Sequence, residues 1–152
     1  MTSRQTLIAA WAGLVLCGSA PTHADGLDAI LSPKGLDGFV TVDRIPTPDH
    51  PTLRSGQTVW GGLCQNCHGG DRLTGAPKIT ATDVWAPRIE QGLPTLIDHA
   101  INGFYGPTYK EMPPRGGNPD LTDAEVIAAV AFMVWASGGA DEALAYLNTS
   151  GQ

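Results

Sequence analysis

Two cysteines and a histidine in the run Cys64-Gln65-Asn66-Cys67-His68 constrain this 152-residue chain more than any other feature. C-x-x-C-H is the pattern through which haem is attached covalently. Residues three apart on a helical turn share a face. Two thiols so placed can reach the two vinyl groups of one macrocycle, and the next residue can turn its imidazole under the iron. C-x-x-C alone would not carry this reading, because thioredoxin-like redox sites and zinc sites use it too. The histidine directly after the second cysteine separates the cases.

Such attachment outside the cytoplasm requires export, and the N-terminus reads as an export signal. Arg4 precedes a stretch from Leu7 to Leu16 without charge, followed by small residues and Thr22-His23-Ala24. That is a charged region, an apolar region and a small-x-small cleavage site, too short to span a bilayer. Cleavage is expected after Ala24, with Ala20 as the alternative. Cys17 would leave with the signal, since Leu16 stands where a lipoprotein site wants a small residue. The mature chain then keeps two cysteines, both in the motif. About 130 mature residues predict one haem-bearing domain that folds without disulfides. The formal charge of -6 becomes -7 without Arg4, which argues against nucleic acid or an anionic membrane as partner.

Residues 25–52 are rich in Gly, Pro and Asp and read as an extension before a domain covering residues 53–152. Arg54–Leu63 predicts a helix that ends at the haem motif, a short turn spans 82–91, and a helix covers 94–101 before Gly103. Thr122-Asp123-Ala124-Glu125 is a capping box. It opens an apolar run from Val126 to Ala136, stopped by Gly138-Gly139. Val126, Val130, Met133 and Val134 are expected to face the core. Ala128, Ala131 and Trp135 fall on another side and need a cover of their own, either residues 25–51 with Leu36, Phe39 and Val40 as anchors, or a second protein. A short last helix is expected over 141–147.

Three separated stretches carry a resemblance: Gly56-x-x-x-Trp60 running into Cys64–His68, then Val84-Trp85-Ala86-Pro87-Arg88-Ile89, then Met112-Pro113-Pro114-Arg115-Gly116-Gly117. From about Gly56 to Ala136 the chain resembles a class I c-type cytochrome, most like the bacterial cytochrome c5 kind. Relatives often carry a further cysteine pair after the Met loop, where this chain has Asn118 and Asp120, and Phe104–Glu111 is longer than the pattern suggests. The resemblance implies an all-α fold wrapped around one haem c. It also implies that Pro77 offers its carbonyl to His68, that Trp85 and Arg88 serve the haem propionates with Arg115 a weaker candidate, and that Gly56 and Phe132 meet where the first and last helices cross.

The sixth iron ligand is argued from the residues left after export. Met133 sits among aliphatics in mid-helix, where gap-filling is the expected role. Met112 precedes two prolines that stiffen the backbone and remove N–H donors. The metal pair is therefore expected to be His68 and Met112. His99, on a predicted helix, is the competitor, and His50 is expected to be solvated. The chain reads as a periplasmic carrier of single electrons rather than an enzyme, working between redox proteins such as a dehydrogenase and a terminal oxidase or reductase. His/Met ligation favours a comparatively high reduction potential. The alternative is a haem subunit held by a periplasmic dehydrogenase or a sulfur-compound-oxidising complex.

Overall fold

The computed structural model describes residues 24–71, 73–106 and 110–151, so the expected export signal lies almost wholly outside the described residues. Among the described residues seven α-helices and a two-stranded ribbon follow one another: α1 Ala24–Asp28, α2 Pro51–Val59, α3 Gln65–His68, α4 Thr82–Ile89, α5 Leu93–Asn102, β1 Phe104–Tyr105, β2 Glu111–Met112, α6 Asp123–Trp135 and α7 Ala140–Ser150. Among the described residues no helix is long and apolar enough to cross a membrane.

α2 begins at Pro51, earlier than Arg54, because proline at the first helical position has its φ already set and lacks only an N–H that no helix would use. His50 is its N-cap and half-buried, with Nδ1 enclosed and unpartnered, so it is not the solvated residue expected. The chain stays helical from α2 through a π-helical turn, Trp60–Cys64, into α3. Gln65 occupies the inside of that turn: its amide donates to the Gly61 carbonyl and accepts from the Val42 N–H at 3.2 Å. The widened turn thus comes with a side chain inserted beside the helical ladder, the usual cause of such a distortion.

α6 opens on the expected capping box, with Thr122 Oγ1 accepting from Glu125 N–H and the Glu125 carboxylate accepting from Thr122 N–H at 2.8 Å. Its second apolar side is covered from within the chain, chiefly by α2, α7 and α5. The α2–α6 crossing is closest at Gly56, where an added Cβ would lie 2.0 Å from the Ala128 carbonyl oxygen and 3.0 Å from Phe132 Cβ. Trp60, Phe132 and Trp135 form a ladder of rings along this contact, each step 5.9 Å between centroids.

Residues 24–50 lie against the same core as the rest. Leu27, Val40 and Ile45 join its buried cluster, Val40 with no exposed surface, while Phe39 is 45% exposed and does not anchor. This strap packs on the core beside the helices that meet α6. It crosses the end of the haem motif, where Val40 N–H donates to the Gly69 carbonyl at 2.7 Å, and then bridges in parallel to Ala81 through Ser32. Two further differences from the sequence reading concern local structure. Residues 82–89 form a full helix despite Pro87, and the long Phe104–Glu111 stretch folds back as a ribbon pairing Phe104 with Met112.

Candidate haem-binding site

The helical turn that ends α3 presents Cys64 and Cys67 three positions apart, both half-buried and neither in a disulfide. His68 follows at 7% exposure. Its Nδ1 lies 2.9 Å from the Pro77 carbonyl, which only a protonated Nδ1 can satisfy, so the lone pair is left on Nε2. Burial lowers the imidazole pKa, the Pro77 hydrogen bond raises it, and the nearby Arg88 charge lowers it again, with burial the largest effect. The ring is thereby kept neutral, as a metal ligand must be. Burial pushes the Cys64 thiol up to about 11.

His68 and Cys64 line an apolar cleft together with Met112 and Leu121 from the loop, and Val126, Val130 and Met133 from α6. The chemistry of this lining suits a flat apolar macrocycle: one thiol of the motif, its imidazole and two thioethers meet among mostly aliphatic side chains, with Cys67 three positions along the same turn. Met112 and Met133 both line the cleft. Met112 sits on β2, next to Pro113 and the 3-10 turn Pro114–Gly117. His99 instead stacks on Phe104 at 4.2 Å and is not part of the lining.

The expected propionate donors are differently engaged. The Trp85 indole N–H donates to the Lys78 carbonyl at 2.8 Å, so its donor is already in use and the buried ring braces the loop behind Pro77. Arg88 donates to the Val84 carbonyl one turn back on α4. Arg115 lines the cleft while its guanidinium holds the Leu121 carbonyl at 2.8 Å and Asp123 at 2.6 Å. Among the described residues, no group of three or more His, Cys, Asp or Glu side chains is placed to hold a metal ion by itself.

Residues 51–133 match the family described as cytochrome C oxidase, cbb3-type, subunit III. The chain belongs to the cytochrome c family. Cytochrome c-555 of Prosthecochloris aestuarii is 43% identical over 86 residues, covering 54% of this chain and 85% of that relative. Cytochrome c5 of Azotobacter vinelandii is 34% identical over 82 residues, covering 53% and 92%. A chain from the crystal structure of an electron transfer complex of nitrite reductase with cytochrome c is 34% identical, with a TM-score of 0.48 and coverage of 55% and 94%. As a cytochrome c, the chain carries haem c bound covalently at Cys64 and Cys67, in the class I all-α fold, and its activity is electron transfer.

Sequence reasoning did not find Thr80 and Ser137, which hold the loop 77–81 through hydrogen bonds to partners far away in sequence, nor the bond of Trp85 to the Lys78 carbonyl. No periodicity or motif marks Thr80 or Ser137.

Proposed function

We propose that this cytochrome c is a periplasmic carrier of single electrons whose iron is held between His68 and Met112. The observation that carries the reading is the cleft itself, which brings together an imidazole fixed by Pro77 and a thioether beside two prolines. Bound haem would supply the Fe(III)/Fe(II) couple. The chain's part would be to offer a neutral Nε2 and a soft sulfur as ligands and to keep water from the apolar lining. Residues 1–24 are removed on export, and the partners are redox proteins, a dehydrogenase as donor and a terminal oxidase or reductase as acceptor. Arg88 and Arg115 stand near the cleft as the candidate cations for the propionates, with Trp85 behind them as a brace.

A free carrier is favoured over a bound subunit by one observation. The uncovered α6 face that would have called for a partner is covered by α2 and α7 of the same chain. The test of the ligand pair is spectroscopic. The oxidised protein is expected to show the weak near-infrared band of a thioether bound to ferric haem. Met112→Ala abolishes it and opens the reduced iron to carbon monoxide, whereas Met133→Leu leaves it in place. The reverse pattern would transfer the ligand role to Met133.

A further inference from the structure

Thr80 is the most constrained residue outside the cleft. It is completely buried and its φ is +70°, in the left-handed region where a β-branched residue is strained. Every polar group it has is used, and by different parts of the chain. Its N–H donates to Ser137 Oγ after α6 at 3.1 Å, its Oγ1 accepts from Leu36 N–H in the strap at 3.0 Å, and its carbonyl accepts from Ser32 N–H at 3.4 Å. The strap comes closest at Gly35, where an added Cβ would lie 2.7 Å from Thr80 Oγ1 and 2.9 Å from the Ala81 nitrogen. Its φ of +73° also favours glycine.

The neighbours of Thr80 belong to the histidine. Ile79 N–H donates to the carbonyl of His68 itself at 2.9 Å, the Lys78 ammonium donates to the Leu36 carbonyl, and the Trp85 indole holds the Lys78 carbonyl. One residue further back is Pro77, whose carbonyl fixes the His68 ring. The tie thus ends on the atom that sets the orientation and basicity of the axial ligand. The strap that supplies half of it lies outside the matched residues 51–133.

The geometry points to Thr80, tied to the strap at Ser32, Gly35 and Leu36, as a positioning residue that holds the Pro77 carbonyl on His68 and so sets the reduction potential of the haem. This rests on His68 being the axial ligand. A carbonyl held on Nδ1–H makes the imidazole a stronger donor and favours Fe(III). Loosening it should favour Fe(II) and raise the potential.

The test uses the haem-loaded full chain. Thr80→Val keeps the branched shape and deletes the Oγ1 acceptor, and Thr80→Ser restores an acceptor. Gly35→Ala alters the tie from the strap side, pressing the strap off Thr80 and Ala81 while the sequence of residues 77–81 stays as it is. Two readouts are taken: solvent exchange of the His68 Nδ1–H by proton NMR of the reduced protein, and the midpoint potential. Thr80→Val is expected to speed exchange at least tenfold and to raise the potential by a threefold change in the one-electron equilibrium, about 28 mV at 59 mV per tenfold. Thr80→Ser returns both toward the parent values, and Gly35→Ala speeds exchange as Thr80→Val does. Exchange within twofold of the parent and an unmoved potential in Thr80→Val, even with a lower Tm, would reduce Thr80 to a structural role and overturn the proposal. A parent protein with no haem-shifted His68 Nδ1–H signal would instead remove the ligand assignment, and the proposal with it.

Discussion

Gly56→Ala adds one methyl group where two helices touch. The new Cβ would stand 2.0 Å from the Ala128 carbonyl oxygen, 2.5 Å from its carbon and 3.0 Å from Phe132 Cβ. The first two are backbone atoms of a regular helix, so no rotamer change relieves them. α2 and α6 must separate by roughly 1.5 Å to restore ordinary contact, and the aromatic ladder must follow. Overpacking of this kind costs about 1–3 kcal/mol, with the upper end fitting an obstruction by backbone. Alanine returns about 1 kcal/mol through its helix preference over glycine. The net is a loss of about 2 kcal/mol, which for a domain of this size lowers Tm by about 6–10 °C. Gly62→Ala is the control, since an added Cβ there meets nothing within 4 Å. It should be neutral or raise Tm slightly. Both variants are melted by circular dichroism in the haem-loaded form. A Gly56→Ala Tm within 2 °C of the parent, or an equal fall in Gly62→Ala, would refute the close crossing as the cause.

Replacing Cys64 and Cys67 together by Ala should leave haem that acid-acetone extracts, read on a denaturing gel by haem staining. Val40→Ala, inside the strap, should cost about 2 kcal/mol in urea denaturation by removing fully buried methyl groups, while Phe39→Ala at its exposed neighbour should stay within about 0.5 kcal/mol. The Thr122 backbone and side-chain hydrogen bonds hold the Glu125 carboxyl below its usual value. A depressed folded pKa contributes stability that is present above the unfolded value of 4.5 and is lost as pH falls through the folded one. Glu125→Gln should therefore flatten the fall in Tm between neutral pH and about pH 3, as followed by scanning calorimetry.

What was legible in the sequence was local. The C-x-x-C-H run, the capping box at Thr122 and the proline-flanked Met112 each place their chemistry within a few residues; residues of the first and the last line one cleft, and the capping box starts the helix that lines it too. The crossing at Gly56 and Phe132 was legible through resemblance. What escaped depends on pairs remote in sequence. Nothing in Lys78-Ile79-Thr80-Ala81 announces a left-handed threonine, because its conformation is imposed by Ser137 and Leu36. The indole of Trp85 has one donor, and only the fold decides that Lys78 receives it. The strap was legible in part, since Leu36 and Val40 were expected as apolar anchors and do pack on the core, while its hydrogen bonding was not. Its composition resembles a linker, and its anchoring uses backbone groups that every residue possesses.

The crossing of α2 and α6 also governs time. Gly56 and Ala128 are 72 positions apart in the chain, and contacts of such separation close large loops and form slowly. In the folded chain burial pushes the Cys64 thiol up to about 11, so the thiolate needed to bond haem is scarcer there than in an open chain. A crossing that closes late would leave that thiol accessible to its cofactor for longer.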